Sequence, residues 1–233
     1  MEERKIKYKT ILETCAQICG IVTGVFSVIF AGYQIAINNK LEKETRMSNQ
    51  PIFQVKYDYR LSESGEMFDY TDVKFECHGE LTRMIKTPVV TSFLKFEYTD
   101  DVYRDTLRTF YIPIRSFFGM IIKTNSISGE IASSHTYLPN NGYYNLLYNE
   151  IPNVIVKPAD AFVQLIHISK IDYIDKYNAN QTIYFINETK AEEQEVDVIL
   201  HYSKEQFEYK MWSIDKLSTV KLLEICGISD AKN

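Results

Sequence analysis

The hydrophobic pattern changes character once along the chain, near residue 51. Before that point, residues 14–37 carry no charged side chain and are mostly apolar. As a helix rising ~1.5 Å per residue, such a run spans roughly 36 Å, enough to cross a hydrocarbon core of about 30 Å. Arg4, Lys5, Lys7 and Lys9 precede it, and Lys40, Lys43 and Arg46 follow. No second run of this kind occurs in the sequence. A single transmembrane helix within residues 1–37, with a basic lead-in, is the expectation. A cleaved signal peptide fits less well, because the run exceeds the usual apolar core of about 7–15 residues and no A-x-A site follows.

The exceptions to apolarity in that run are ordered. Glu13, Gln17, Gly20, Gly24, Ser27, Ala31 and Gln34 alternate at spacings of four and three. This repeat places all seven along one seam of a helix, as the a and d positions of a left-handed supercoil do. Gly20 and Gly24 also form a GxxxG pair, which lets helix backbones approach closely. A polar stripe facing lipid costs free energy, so the seam predicts that several copies of the helix meet. Two outcomes follow from meeting: a packed homo-oligomeric anchor, or a pore with the seam facing water and Glu13 ringing one mouth.

Residues 38–50 are polar and charged and continue the helix as a stalk until Pro51 stops it. From Ile52 the period becomes two. Phe53, Val55, Tyr57 and Tyr59 alternate with Gln54, Lys56, Asp58 and Arg60, the signature of a half-buried strand. Strands are also expected at 68–77, 89–98, 107–114, 162–170, 181–186 and 195–202. The pair 162–170 and 181–186 forms a hairpin around the turn-like KYNAN sequence. Residues 140–149 predict a short helix, 204–226 a partly helical segment using Ile214, Leu217, Val220 and Leu223, and 125–134 a loop. Many short strands within residues 51–233 predict an antiparallel Ig-like sandwich or partial barrel.

Composition narrows the partners. The chain has 233 residues and a net charge of −5, and its first 50 residues are net basic, so the β-rich part is more acidic still. A duplex-DNA binder needs a basic face to displace counterions, so duplex DNA is not an expected partner. The 17 Tyr and 13 Phe suit strands and also supply stacking surfaces for bases. Cys77 and Cys226 are isolated, able to pair but not required to, and Cys15 and Cys19 lie in the apolar run.

Catalytic chemistry has no visible carrier. His78, His135, His167 and His201 show no metal-ligand spacing, and no phosphate-binding glycine loop or nucleophile elbow occurs. His167 and His201 read as strand histidines satisfied by their surroundings. Adjacent Cys77 and His78 point to opposite faces of a strand, which argues against a thiolate–imidazole pair. Neither an enzyme nor a cofactor is expected. One segment suits ligand binding: Arg104, Arg108, Arg115 and Lys123 stand against a single Asp105, interleaved with aromatics including Tyr111. Arginines hold phosphates and aromatic rings stack on bases, so a nucleotide or single-stranded oligonucleotide is the ligand class. Tyr143, Tyr144 and Tyr148 form a second, less charged aromatic group.

A helix, a charged stalk, the strand entry Gln50-Pro51-Ile52-Phe53 and the hairpin at 171–185 together resemble small bacterial single-pass membrane proteins with an Ig-like β domain. Some proteins of this layout are effectors of antiphage defence, in which a sensor domain controls a membrane-disrupting or ion-conducting helix. The resemblance implies a homo-oligomeric channel or membrane-disrupting effector in the inner membrane, with the β domain in the cytosol. The Lys/Arg count leans the other way by one charge. A membrane-anchored β module that binds a protein partner without a pore is the alternative.

Overall fold

The computed structural model describes residues 2–48, 50–61, 68–79, 83–99, 107–126, 128–137, 139–155 and 160–228, without the side chains of 2–19, 21–22, 46–48 and 68–69. The chain divides into two compact units, Met1–Asn49 and Gln50–Asn233.

The first unit is one uninterrupted α-helix, α1 (Glu2–Ser48). It runs through the apolar stretch and on through the charged residues that follow. Its described side chains are exposed all round, with Phe26, Val28, Ile29 and Phe30 each more than 60 % accessible. Lys40 and Glu44 face each other one turn apart, 3.9 Å between charged atoms, in the charged part of the helix. Among the described residues no helix is long and apolar enough to cross a membrane. The side chains of Glu13 and Gln17 lie outside the described residues, while Gly20, Gly24, Ser27, Ala31 and Gln34 are exposed.

The second unit is mainly β, two antiparallel sheets with a few helices. Sheet A runs β1 (Ile52–Leu61), β2 (Phe68–His78), β7 (Gly129–His135) and β6 (Ile122–Lys123) in spatial order. Sheet B runs β10 (Thr189–Ala191), β9 (Asn180–Ile186), β8 (Asp160–Ile174), β4 (Val89–Thr99) and β5 (Leu107–Ile114). A short β3 (Arg83–Met84) also pairs with β8. The alternation of β1 fixes its register: Phe53, Val55 and Tyr57 are buried and Gln54, Lys56 and Asp58 exposed. These residues join Val73, Phe75 and Cys77 of β2 in one core with Leu94, Phe96 and Tyr98 of β4 and Ile171 and Tyr173 of β8. The two sheets thus share a core, as in a sandwich.

Sheet B is covered on its other face as well. Phe93, Ile166 and Ile168 point away from the shared core and meet Val196 and Ile199 of α3 (Glu193–Phe207). This explains the near-continuous apolar stretch of β8, which has partners on both sides. The helix α2 (Asn140–Val154) contributes Leu147 and Ile151 to the shared core, as do Leu222 and Leu223 of α4 (Thr219–Ile225). Glu150 of α2 accepts the Thr219 N–H at 2.9 Å and its hydroxyl at 3.1 Å, tying the start of α4 to α2.

Two expectations are corrected. Residues 195–202 form part of helix α3 and not a strand. The capping box between Glu192 and Glu195 starts the helix, and burial follows Val196, Ile199, Ser203 and Phe207. Val198, Leu200 and Tyr202, which created the apparent alternation, stay 41–51 % exposed. His201 accordingly lies on a helix, 3.1 Å from Glu205 one turn on. Residues 125–134 are not wholly loop, because β7 begins at Gly129. Its inner positions include Ala132 and Ser134, too small or polar to give a strand signal although both are buried. The segment 204–226 is partly helical, as expected: it holds the end of α3, a 3₁₀ turn at Ile214–Lys216 and α4, while Val220 is exposed.

Candidate functional site

The basic segment does not assemble into one site. Arg104 lies outside the described residues. Arg108 rests its guanidinium over the Tyr98 ring at 5.5 Å, on the shared-core side of β5. Tyr111 has the opposite parity and packs with the cluster under α3. Arg115 is exposed beyond the end of β5, and Lys123 belongs to β6 in the other sheet. None of the four described residues lines the pocket that follows.

That pocket, about 570 Å³, opens where β1, α2, β8 and the β9–β10 turn converge. The volume lies in the ~300–1,000 Å³ range of small-molecule sites. One wall is β1, supplying Tyr57 and Tyr59. A second is α2, supplying Asn141, Tyr144, Asn145 and Tyr148, which recur at helical spacing on one stripe. The floor is β8 with His167, and the rim is the turn carrying Asn187 and Glu188.

Backbone and side-chain bonds hold these groups in place. Asn187 adopts a left-handed φ of 53°, which asparagine tolerates better than most residues. In this conformation its Oδ1 accepts the His167 N–H at 2.9 Å, and its own N–H donates to the His167 carbonyl at 2.7 Å. Glu188 Oε1 accepts the Tyr57 N–H at 2.9 Å, which closes the β1 edge against the turn. Asn141 donates Nδ2 to Thr71 Oγ1 at 2.8 Å. Asn145 differs: its Nδ2 is buried and has no hydrogen-bond partner among the described residues. A buried donor left unpaired costs free energy.

The charge state of the site is simple. His167 is buried among Tyr57, Phe117 and Phe118, and burial pushes its pKa down to about 3, so the ring is neutral. Its Nδ1 lies 2.9 Å from Ser92 Oγ. Burial raises the Tyr57, Tyr144 and Tyr59 hydroxyls above the ordinary tyrosine value, with Glu188 adding to the shift at Tyr57 and Tyr59. They remain protonated donors. Among the described residues the lining contains no lysine or arginine. The pocket is therefore aromatic and amide-rich, with one carboxylate.

A second pocket of about 730 Å³ lies beside α3, lined by Phe93, Pro113, Leu200 and Met211 among others. It is greasier and has fewer converging polar groups, so it is the weaker candidate. Among the described residues no cluster of His, Cys, Asp and Glu could hold a metal ion. Cys77 and Cys226 are separate buried thiols. Burial raises the pKa of both, that of Cys226 to about 12, which keeps them protonated and unreactive.

Sequence reasoning noticed Tyr144 and Tyr148 but not the site they belong to. The available signal was the 141, 144, 145, 148 spacing, an amide and aromatic stripe on one helix face. No protein-family model, curated protein or solved structure matches this chain.

Proposed function

We propose that the protein is a homo-oligomeric, single-pass membrane effector whose β domain binds a small ligand and thereby controls the membrane helices. The observation that carries this reading is the apolar, uncharged part of α1. Val25, Phe26, Val28, Ile29 and Phe30 cover it with exposed apolar surface, and water is a poor solvent for such a surface. Residues 14–37 supply the length, and the polar seam from Glu13 to Gln34 supplies a reason for copies to meet. Ser27 already donates its hydroxyl to the Thr23 carbonyl at 2.8 Å, a bond that lets a serine sit in lipid or at a helix interface. The ligand role falls to the tyrosine pocket, since the basic segment is dispersed. Resemblance to transmembrane antiphage effectors suggests where such a device is used, in an inner membrane with the β domain in the cytosol.

Ion flux tests the reading. Full-length protein in liposomes is expected to conduct, and the double variant Glu13→Leu, Gln17→Leu to insert and assemble while losing most of the flux. Tight liposomes with confirmed insertion, with and without cell extract, would sink the channel.

The GxxxG pair of Gly20 and Gly24, exposed on one helix face where two backbones can approach closely, favours a second reading as a packed anchor. There Gly20→Ile with Gly24→Ile is expected to break the oligomer into monomers, seen by light scattering in detergent. An unchanged oligomer would remove the glycines from the interface.

A further inference from the structure

We propose that the tyrosine pocket takes an uncharged, planar nitrogen heterocycle of the nucleobase or nucleoside class, and discriminates against phosphorylated forms. The proposal deepens the reading of the β domain as a ligand-binding unit and rests on it.

Three observations converge. Tyr57, Tyr59, Tyr144 and Tyr148 line the space, and aromatic rings attract flat π systems irrespective of sequence. Asn145 belongs to the lining, and its Nδ2 has no hydrogen-bond partner among the described residues; closed to solvent as it stands, it would meet an acceptor such as a ring nitrogen or carbonyl oxygen once the amide turns towards the cavity. Glu188, at the rim, uses Oε1 for the Tyr57 N–H and has no further hydrogen bond among the described residues, leaving it able to accept from a ring or exocyclic N–H. A ligand carrying adjacent donors and acceptors on a flat ring answers all three.

The alternatives answer fewer. A quaternary ammonium suits tyrosine faces and a carboxylate, yet it offers Asn145 no acceptor. A nucleotide brings phosphate to a site whose described lining has no cationic side chain and carries the carboxylate of Glu188, where repulsion opposes it. The same argument disfavours an oligonucleotide, whose bases are tied to charged phosphates.

The experiment is calorimetric titration of full-length protein in detergent with adenosine, guanosine, cytidine and uridine, their 5′-monophosphates, and choline. At least one nucleoside is expected to bind, with its monophosphate weaker by roughly tenfold or more, as expected when a charge is buried without a partner. Asn145→Asp, which replaces the donor with an acceptor, is expected to weaken that nucleoside by roughly tenfold, the scale of one buried hydrogen bond. Its thermal unfolding should match the parent, and the surface control Lys123→Ala should bind normally.

Monophosphates binding as well as nucleosides, or a well-folded Asn145→Asp protein with unchanged affinity, would overturn the proposal. So would a failure of all four nucleosides at millimolar concentration. Choline binding alone would overturn the ligand class while keeping the pocket as a ligand site. Nucleoside binding without any effect on flux would keep the class and refute control of the membrane helices.

Discussion

Between pH 6.5 and about 3, His167 alone is expected to cost the β domain close to 1.4 kcal/mol of stability for each pH unit lost. The ordinary pKa of 6.5 describes the unfolded chain, and burial lowers it to about 3 in the fold. Above 6.5 the ring is neutral in both states, so the contribution is fully present. As pH falls below 6.5, the unfolded chain takes up a proton that the folded one refuses, and stability drains away. Below about 3 both states are charged and the loss from this group stops. The exposed pairs of Asp58 with Lys74 and Glu76 with Lys56 hold those carboxyls below their ordinary values of 3.8 and 4.5, so their own loss of stability falls mostly below pH 5. The three other histidines are exposed. Urea unfolding at about pH 5 and 6.5, followed by the fluorescence of Trp212 against Phe207, isolates the effect. His167→Gln keeps a partner for Ser92 and removes the titration, so its two midpoints should lie much closer together than the parent's. An equal gap between the two midpoints in parent and variant would refute the assignment.

Phe75→Ala is expected to cost ~3–5 kcal/mol, the range for emptying a buried phenylalanine site. Phe75 is 0 % exposed and sits in the middle of β2, opposite Val55 on one side and Ala132 on the other. Ala132 is too small to reach into the vacated space. The register shift between Phe75 and Glu76 against β7 further limits how far the strands can close. For a domain of this size the cost corresponds to a fall of about 10 °C in Tm. Phe75→Leu retains most of the volume and should lose about 1.5 kcal/mol or less. Scanning calorimetry of both variants checks the pair. Similar Tm values for the alanine and leucine forms would mean that the sheets do not share a close-packed core there.

Much of the β domain was readable because its strands obey simple rules. Alternation located β1, and the KYNAN turn marked the β8–β9 hairpin, in which Ile168 pairs with Ile186. The failures have local causes. Val196, Val198, Leu200 and Tyr202 of α3 fall at even positions by coincidence, and the two glutamates that cap it lie before the apolar run. Strand β7 hides because its inward residues include Ala132 and Ser134. The pocket was half legible. Its α2 stripe follows helical spacing, but Tyr57, His167 and Glu188 come together only through the packing of β1, β8 and a turn far apart in the sequence. The basic segment misled because close spacing along β5 sends Arg108 and Tyr111 to opposite faces.

The long strand β8 also sets the order in which the domain can be made. It pairs with β4 from Val89–Lys170 to Thr99–Asp160, and with β9 along its second half. At roughly 5–20 residues per second, ribosomes finish β8 several seconds after β4 has emerged. Until then β4 has only β5 beside it in sheet B, and its Phe93 has no α3 to cover it. Such non-local pairing slows folding and leaves apolar strand edges open to other chains. The nascent β4–β5 hairpin is therefore the species that a chaperone would have to shield during synthesis.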